Sequence, residues 1–116
     1  MAENSRNKDD DFKMYLLACS DGQLEAVMLY LRKYPGFVKE RDANTGETGL
    51  LNALNSLPNR IERHTNLLGI INYHLKGKVP VSQDIIRQTY DASRKNNNFE
   101  AISILKPYIR KEKIKG

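Results

Sequence analysis

Two segments near opposite ends of the chain carry the same pattern of small, acidic and apolar residues. The first, LEAVML, begins at Leu24, and the second, FEAISI, begins at Phe99. Each follows a polar turn that ends an amphipathic stretch with helical spacing. Glu25 and Glu100 are about two unit lengths apart on the scale of known helical repeats. This feature constrains the fold most strongly, because it indicates repeated helical hairpins with a third unit between them.

Apolar periodicity and turn residues predict six helices and no strand. In chain order the helices run from Asp10-Asp11 to Asp21, from Leu24 to a stop at Tyr34-Pro35-Gly36, from Gly49 to about Leu57, from Asn59 to Lys76, from Gln83 to Lys95, and from Phe99 into the tail. Ser82 is the expected N-cap of the fifth helix. Pro107 should kink or break the sixth, because proline disrupts a helix interior.

The 116 residues fit one domain. We expect an all-α domain of three stacked helical hairpins over residues 11–110, with a disordered N-terminal tail (1–10) and a basic C-terminal tail (111–116). No apolar run reaches the ~20 residues that span a bilayer, and the polar N-terminus does not resemble a secretory signal. These features favour a cytoplasmic protein. Secretion into a host cell by a specialised system that reads a C-terminal tail stays open.

The segment TGETGLLNAL, which opens the middle unit, resembles the first-helix start of the ankyrin-repeat family. The family pattern reads Asp-x-x-Gly-x-Thr-Pro-Leu-His-x-Ala, followed after a turn by Gly-x-x-Glu-x-Val. The matching positions are Asp42, Gly46, Thr48, Leu50 and Ala53, together with Gly22, Glu25 and Val27 of the preceding unit. The resemblance implies that Thr48 caps a helix and that small alanines let paired helices approach closely.

Several positions depart from the family pattern. One extra residue lies between Asp42 and Gly46, Gly49 stands where the family prefers proline, and Leu51 stands in place of histidine. The middle unit has an insertion around LPNRIERH, and the third unit begins with VPVS. The cap network of the family is therefore incomplete, and the resemblance is specific mainly in the first one and a half units.

The resemblance implies a protein-interaction module that binds a partner and inhibits or regulates it. The use of Asn, Lys and Ile, as in SRKNNNFEAISIL, is typical of an AT-rich bacterial or viral genome. Together these features resemble the small ankyrin-like effectors and effector regulators of intracellular bacteria such as Legionella. By that analogy the partner is another effector enzyme, for example one that acts on the ubiquitin system.

No arrangement of residues indicates catalysis, a cofactor or a metal. His64 and His74 have no Cys, Asp or Glu at metal-ligand spacing, and we expect two ordinary surface or half-buried histidines. Cys19 lies on an apolar helical face and is expected to be a small buried side chain. No glycine-rich phosphate loop or nucleophile motif is present. The sequence therefore predicts a protein that is not an enzyme.

In ankyrin-like proteins partners contact the loops between repeats and the concave face of the first helices. The corresponding loop positions here are Arg41, Asp42, Asn44, Glu47, Lys76 and Lys78, and the helix positions are Asn52, Asn55, Arg87, Tyr90, Asp91 and Arg94. Aromatic and guanidinium groups are frequent anchors of interfaces. The alternative is that Tyr90 belongs to the core and that the arginines only solubilise a helix.

Charge is distributed unevenly along the chain. Residues 1–58 contain seven Lys/Arg and nine Asp/Glu, whereas residues 59–116 contain twelve and five, which together give the net charge of +5. The alternative function is therefore nucleic-acid binding by the basic half, which predicts a contiguous face of Arg60, Arg63, Lys76, Lys78, Arg87, Arg94 and Lys95. The apolar side of the sixth helix is a candidate homodimer interface, formed by Ile102, Leu105 and Ile109.

Overall fold

Helices in this chain end where the sequence supplies glycine, asparagine or proline. The computed structural model describes residues 2–109, with side chains from residue 8. It contains the α-helices α1 Ala2–Asp21, α2 Leu24–Lys33, α3 Gly49–Ser56, α4 His64–Lys76, α5 Gln83–Lys95 and α6 Phe99–Leu105. Short 3-10 helices cover Pro35–Lys39, Ile61–Arg63 and Lys106–Tyr108. Among the described residues there is no strand, so the predicted all-α class is confirmed.

Local capping chemistry accounts for most of the helix boundaries. Gly22 follows α1 with a φ of +73°, a left-handed conformation that glycine adopts at little cost. The Thr48 hydroxyl accepts a hydrogen bond from the Leu51 amide at 3.1 Å, as the resemblance implied. The α5 bounds match the prediction, and α6 stops before Pro107. Ser82 is the N-cap of α5, although its side chain makes no capping hydrogen bond.

The core lies around α3, which packs against α1, α4 and α5. The other helix contacts join α1 to α2, α1 to α4, α2 to α4, α4 to α6 and α5 to α6. Fully buried side chains include Val27, Leu54, Leu67, Ile70 and Ile85. Each such aliphatic side chain contributes about 2 kcal/mol relative to an exposed position. Burial of one contiguous set of residues therefore holds all six helices together.

The N-terminal helix is longer than the sequence predicted. We expected a tail over residues 1–10 and a helix start at Asp10-Asp11, but α1 begins at Ala2. Polarity suggested the tail, yet residues 2–10 contain neither proline nor glycine, and Lys8, Asp9 and Asp10 are exposed on the helix. An exposed helix and a polar tail have the same composition, so polarity could not separate them. The predicted basic tail lies outside the described residues.

The beginning of the fourth helix also differs from the prediction. Instead of a continuous helix from Asn59, a 3-10 helix over Ile61–Arg63 precedes α4. A 3-10 helix has about three residues per turn, which changes the angular phase of its side chains. A continuous helix would turn Ile61 inward together with Leu67, Leu68, Ile71 and Leu75, but Ile61 is 78% exposed. Leu67, Ile71 and Leu75 are buried, and Leu68 is half-buried.

A buried polar pair explains the unusual residue at position 49. Tyr15 Oη lies 2.6 Å from His74 Nε2, and His74 Nδ1 lies 2.8 Å from the Ile70 carbonyl oxygen. The carbonyl can only accept, so Nδ1 carries the proton, and the tyrosine hydroxyl donates to Nε2. A Cβ atom at Gly49 would lie 2.1 Å from Tyr15 Oη. The close approach of this pair therefore leaves room only for glycine.

His74 is the histidine that the sequence placed wrongly. It is fully buried, and desolvation lowers its pKa from 6.5 to about 4. His64 is half-buried, as expected, and its Nε2 lies 2.5 Å from a carboxylate oxygen of Glu100. The predicted burial of Cys19 is confirmed, and desolvation raises the pKa of its thiol. His74 therefore serves the core as a neutral hydrogen-bonding side chain.

Candidate partner-binding surfaces

The first predicted contact region is the loop between the Pro35–Lys39 helix and α3. The Asp42 carboxylate accepts hydrogen bonds from the backbone amides of Asn44 at 2.8 Å and Thr45 at 2.9 Å. These amides lower the pKa of the Asp42 carboxyl. The Gly46 amide also donates to the Asp42 carbonyl, and Gly46 has a φ of +75°. The carboxylate of Asp42 is thus used to hold its own turn closed.

Arg41 connects this loop to α5. Its guanidinium donates to Gln88 Oε1 at 2.8 Å, to Asp84 Oδ2 at 3.1 Å and to the Gly46 carbonyl at 3.3 Å. The hydrogen bond from Arg41 is the main reason that the pKa of the Asp84 carboxyl is lowered. Nearby, the Asn52 amide donates to the Glu47 carboxylate at 2.9 Å.

These contacts define the loop surface. Its members are the predicted residues Arg41, Asp42, Asn44, Glu47 and Asn52, with Asp84 and Gln88 added by the structure. Asp84 and Gln88 are four residues apart and share one side of α5, a spacing visible in the sequence. Their pairing with Arg41 spans more than forty residues and has no local signal. A groove of about 340 Å³ beside the loop is lined by charges of both signs.

The predicted residues of α5 have mixed environments. Tyr90 is half-buried and packs against the core, and the Arg94 guanidinium carbon lies 5.9 Å from its ring centroid. Arg87 is half-buried, whereas Asp91 and Arg94 are exposed. Tyr90 therefore has a packing role, as the alternative interpretation expected, and only part of its ring faces solvent. Asn55, the remaining predicted residue on α3, is exposed.

Lys76 and Lys78 lie apart from the loop surface, on a second surface that we call the basic cleft. The cleft has a volume of about 530 Å³. Its lining comes from the end of α2, the following 3-10 helix, the end of α4 and the loop after α4, and consists of Leu31, Arg32, Pro35, Val38, Tyr73, Lys76, Gly77, Lys78 and Val79. Sequence reasoning missed most of these residues, because only the packing of α2 on α4 brings them together.

Charge and apolar area are separated within the basic cleft. Leu31 and Val38 are buried, Tyr73 and Val79 are half-buried, and the three cations are exposed. Lys76 lies in the last turn of α4 and Arg32 near the end of α2, where the helix dipole favours positive charge. The lining contains no Asp or Glu. Within residues 8–109, no salt bridge involves Arg32, Lys76 or Lys78.

Four of the basic residues proposed for nucleic acid lie at opposite ends of α4. Arg60 pairs with Asp21 at 3.1 Å. Arg60 and Arg63 precede α4, whereas Lys76 and Lys78 lie at and beyond its end. A helix of 13 residues is about 20 Å long, so these two groups are separated by that distance.

The predicted dimer face on the last helix is largely turned toward the core. Leu105 is fully buried, and Ile109 packs against the core cluster. Ile102 is half-buried. The three residues therefore do not form a free apolar side, and the turn at Pro107 is followed by Tyr108 and Ile109, which pack against the core.

The described residues contain neither a cluster of metal ligands nor a candidate membrane span. No group of three or more His, Cys, Asp or Glu side chains among them could hold a metal ion. No helix in the same part of the chain is long and apolar enough to cross a membrane.

Comparisons with known proteins give no relative for this chain. No protein-family model matches it, and neither a curated protein nor a solved structure does.

Proposed function

We propose that this chain is a non-catalytic protein-interaction module that binds a partner protein and inhibits or regulates it. The observation that carries the proposal is the basic cleft. Within the described residues, three cations surround an apolar floor whose lining contains no Asp or Glu, so both charge and apolar area are open to a partner. A partner that carries acidic and apolar groups would bind here through charge complementarity and through burial of apolar surface.

An ankyrin-like architecture is part of this proposal. The contacts of α1 with α2, α3 with α4 and α5 with α6 support an arrangement of three helical hairpins. The contacts of α3 with α1 and α5, and of α4 with α2 and α6, fit a side-by-side stack of these pairs. The Thr48 cap agrees with the family pattern. Stacked repeats form extended surfaces that are typical binding sites.

The mode of regulation that we propose is occlusion of the partner. Both candidate surfaces lie on packed helices or on a hydrogen-bonded loop, so binding needs little ordering of this chain. The ankyrin-like resemblance supports an enzyme as the partner, and the bacterial effector analogy supports an effector enzyme. A rigid module seated on such an enzyme would block access to its substrate.

The proposal is tested by capture of partners with the tagged full chain. Lysate of the cells that make the protein would be divided, and only one half would be treated with nuclease. Both halves would be applied at low salt and at ~0.5 M salt, which screens exposed charge pairs. We expect one protein to be retained in a stoichiometric amount, and its activity to change when the purified chain is added. Recovery of nucleic acid alone, lost at high salt, would support the alternative function instead.

A further inference from the structure

We infer that the basic cleft binds an extended acidic peptide segment that inserts one apolar side chain between flanking Asp or Glu residues. The inference rests on the proposed function, because it names the chemistry of the partner. The size of the cleft, its charge and the residues of its floor all fit such a ligand.

The size of the cleft fits side chains rather than a folded domain. Its volume of about 530 Å³ lies within the range of roughly 300–1,000 Å³ that is usual for ligand pockets. Leu31 and Val38 form buried parts of the lining, and Tyr73 and Val79 add half-buried apolar surface. A leucine or phenylalanine of a partner can be covered on such a floor. A single buried anchor of this kind is the usual centre of a binding hot spot.

The charge of the rim selects the residues that flank the anchor. Arg32, Lys76 and Lys78 are exposed and surround the floor. Residues 110–116 of the same chain carry four Lys or Arg and one Glu, so they would be repelled from this rim. An acidic segment of a partner neutralises the rim and leaves the floor for its apolar side chain.

The floor favours a peptide over a nucleic acid. Sites for single-stranded nucleic acid place successive bases on aromatic side chains. In this lining Tyr73 supplies the only aromatic ring, and Leu31, Pro35, Val38 and Val79 are aliphatic. The cations supply attraction to phosphate as well as to carboxylate, and the test below therefore includes an oligonucleotide.

The test begins with a random peptide library selected on the immobilised full chain. We expect enrichment of sequences in which Asp and Glu flank one Leu, Ile or Phe. Binding of a fluorescein-labelled peptide with one phenylalanine between glutamates is then measured by anisotropy. Replacing that phenylalanine with serine, or the glutamates with glutamines, should weaken binding about tenfold. An unlabelled oligonucleotide of equal charge serves as the competitor.

Charge reversal at the rim locates the binding site. The double variant K76E/K78E should weaken binding of the phenylalanine peptide at least about tenfold, because two attractive charges become repulsive. The matched control K95E/K106E has the same net charge and changes two exposed lysines outside the cleft. It should weaken binding less than about threefold, and circular dichroism should show that both variants are folded.

Three results would overturn the inference. They are a library without acidic-apolar enrichment, an equal loss in K76E/K78E and K95E/K106E, and an oligonucleotide that binds more tightly than the peptide. Failure of the proposed function is a separate result. If wild type and K76E/K78E capture the same protein from lysate equally well, the proposed interaction function is supported, but the cleft is not the binding site. If neither captures a protein, the proposed function itself fails.

Discussion

The loop surface and the basic cleft are both rich in charge, but they differ in where that charge is satisfied. In the loop surface Arg41 pairs with Asp84, Asp42 accepts from its own turn, and Glu47 accepts from Asn52. In the cleft Arg32, Lys76 and Lys78 face an opening lined by apolar side chains and by no acid. Groups that are bonded within the protein must give up those partners to bind another molecule, whereas the exposed cations of the cleft give up only water.

The loop surface and the cleft also differ in how well the sequence reveals them. The loop residues were prominent in the sequence because turn chemistry has a local signature. That signature reflects the folding of the loop, because the side chains that produce it already form hydrogen bonds within the protein. The cleft has no local signature, but its cations make no salt bridge within the described residues. We therefore propose a structural role for the loop surface and a binding role for the cleft.

The largest expected effect concerns Gly49, which begins α3 directly beneath the loop surface. A Cβ atom here meets Tyr15 Oη at 2.1 Å and His74 Nε2 at 2.9 Å, so Gly49→Ala must displace the buried pair. We expect a loss of about 3 kcal/mol in the free energy of unfolding, from overpacking and a disturbed buried hydrogen bond. Urea denaturation measures it. Gly36→Ala, which adds a Cβ atom in open space, is the control, and equal stability of both variants would contradict the structure.

The second effect is the dependence of stability on pH. His74 has its pKa lowered from 6.5 to about 4 by burial. Between those values the unfolded chain binds more protons than the folded chain, so stability falls as the pH drops from 6.5 to 4. The histidine contributes up to about 3 kcal/mol to this loss. Denaturation at several pH values should give this slope for wild type and for His64→Gln, but not for His74→Gln. An unchanged slope in His74→Gln would contradict the assignment.

The third effect separates binding from stability at the cleft. K76E/K78E should lower the affinity for the captured partner by about 1.4 kcal/mol, a factor of about ten. Because both side chains are exposed and unpaired within the described residues, stability should change by less than about 0.5 kcal/mol. Calorimetry and urea denaturation on the same samples compare the two quantities. A large stability loss with unchanged affinity would reverse the roles assigned to the two surfaces.

The smallest effect is expected at the loop surface. Arg41→Ala removes hydrogen bonds to Asp84 and Gln88 on an exposed surface, where such contacts contribute less than about 1 kcal/mol. Stability should fall by that amount, and the affinity for the partner should change by less than about twofold. An affinity loss as large as that of K76E/K78E would mean that the loop surface also contacts the partner.

The sequence predicted features that depend on neighbouring residues. The bounds of α5, the end of α6 before Pro107 and the Thr48 cap follow from local chemistry, and the structure confirms them. Features that need distant residues were missed. The Tyr15–His74 bond joins positions 59 residues apart, and it alone explains why glycine occupies position 49.

The residues of the two candidate surfaces were also predicted only in part. Predicted loop residues such as Arg41 and Asp42 come together, but their partners Asp84 and Gln88 were not foreseen. Two of the three cations of the cleft, Lys76 and Lys78, were predicted as partner contacts, but Arg32 was not. Helical periodicity assigns a face to each residue, but it does not tell which helix ends meet. The cleft became visible only once α2 was packed on α4.

The most direct test of the account is a nuclear magnetic resonance titration of the isotope-labelled full chain with the selected acidic peptide. We predict that the amide resonances of residues 31–38 and 73–79 shift in a saturable manner, while those of residues 41–52 stay in place. Shifts confined to residues 41–52 and to the first half of α5 would contradict the account. They would identify the loop surface, with its internal hydrogen bonds, as the site that binds.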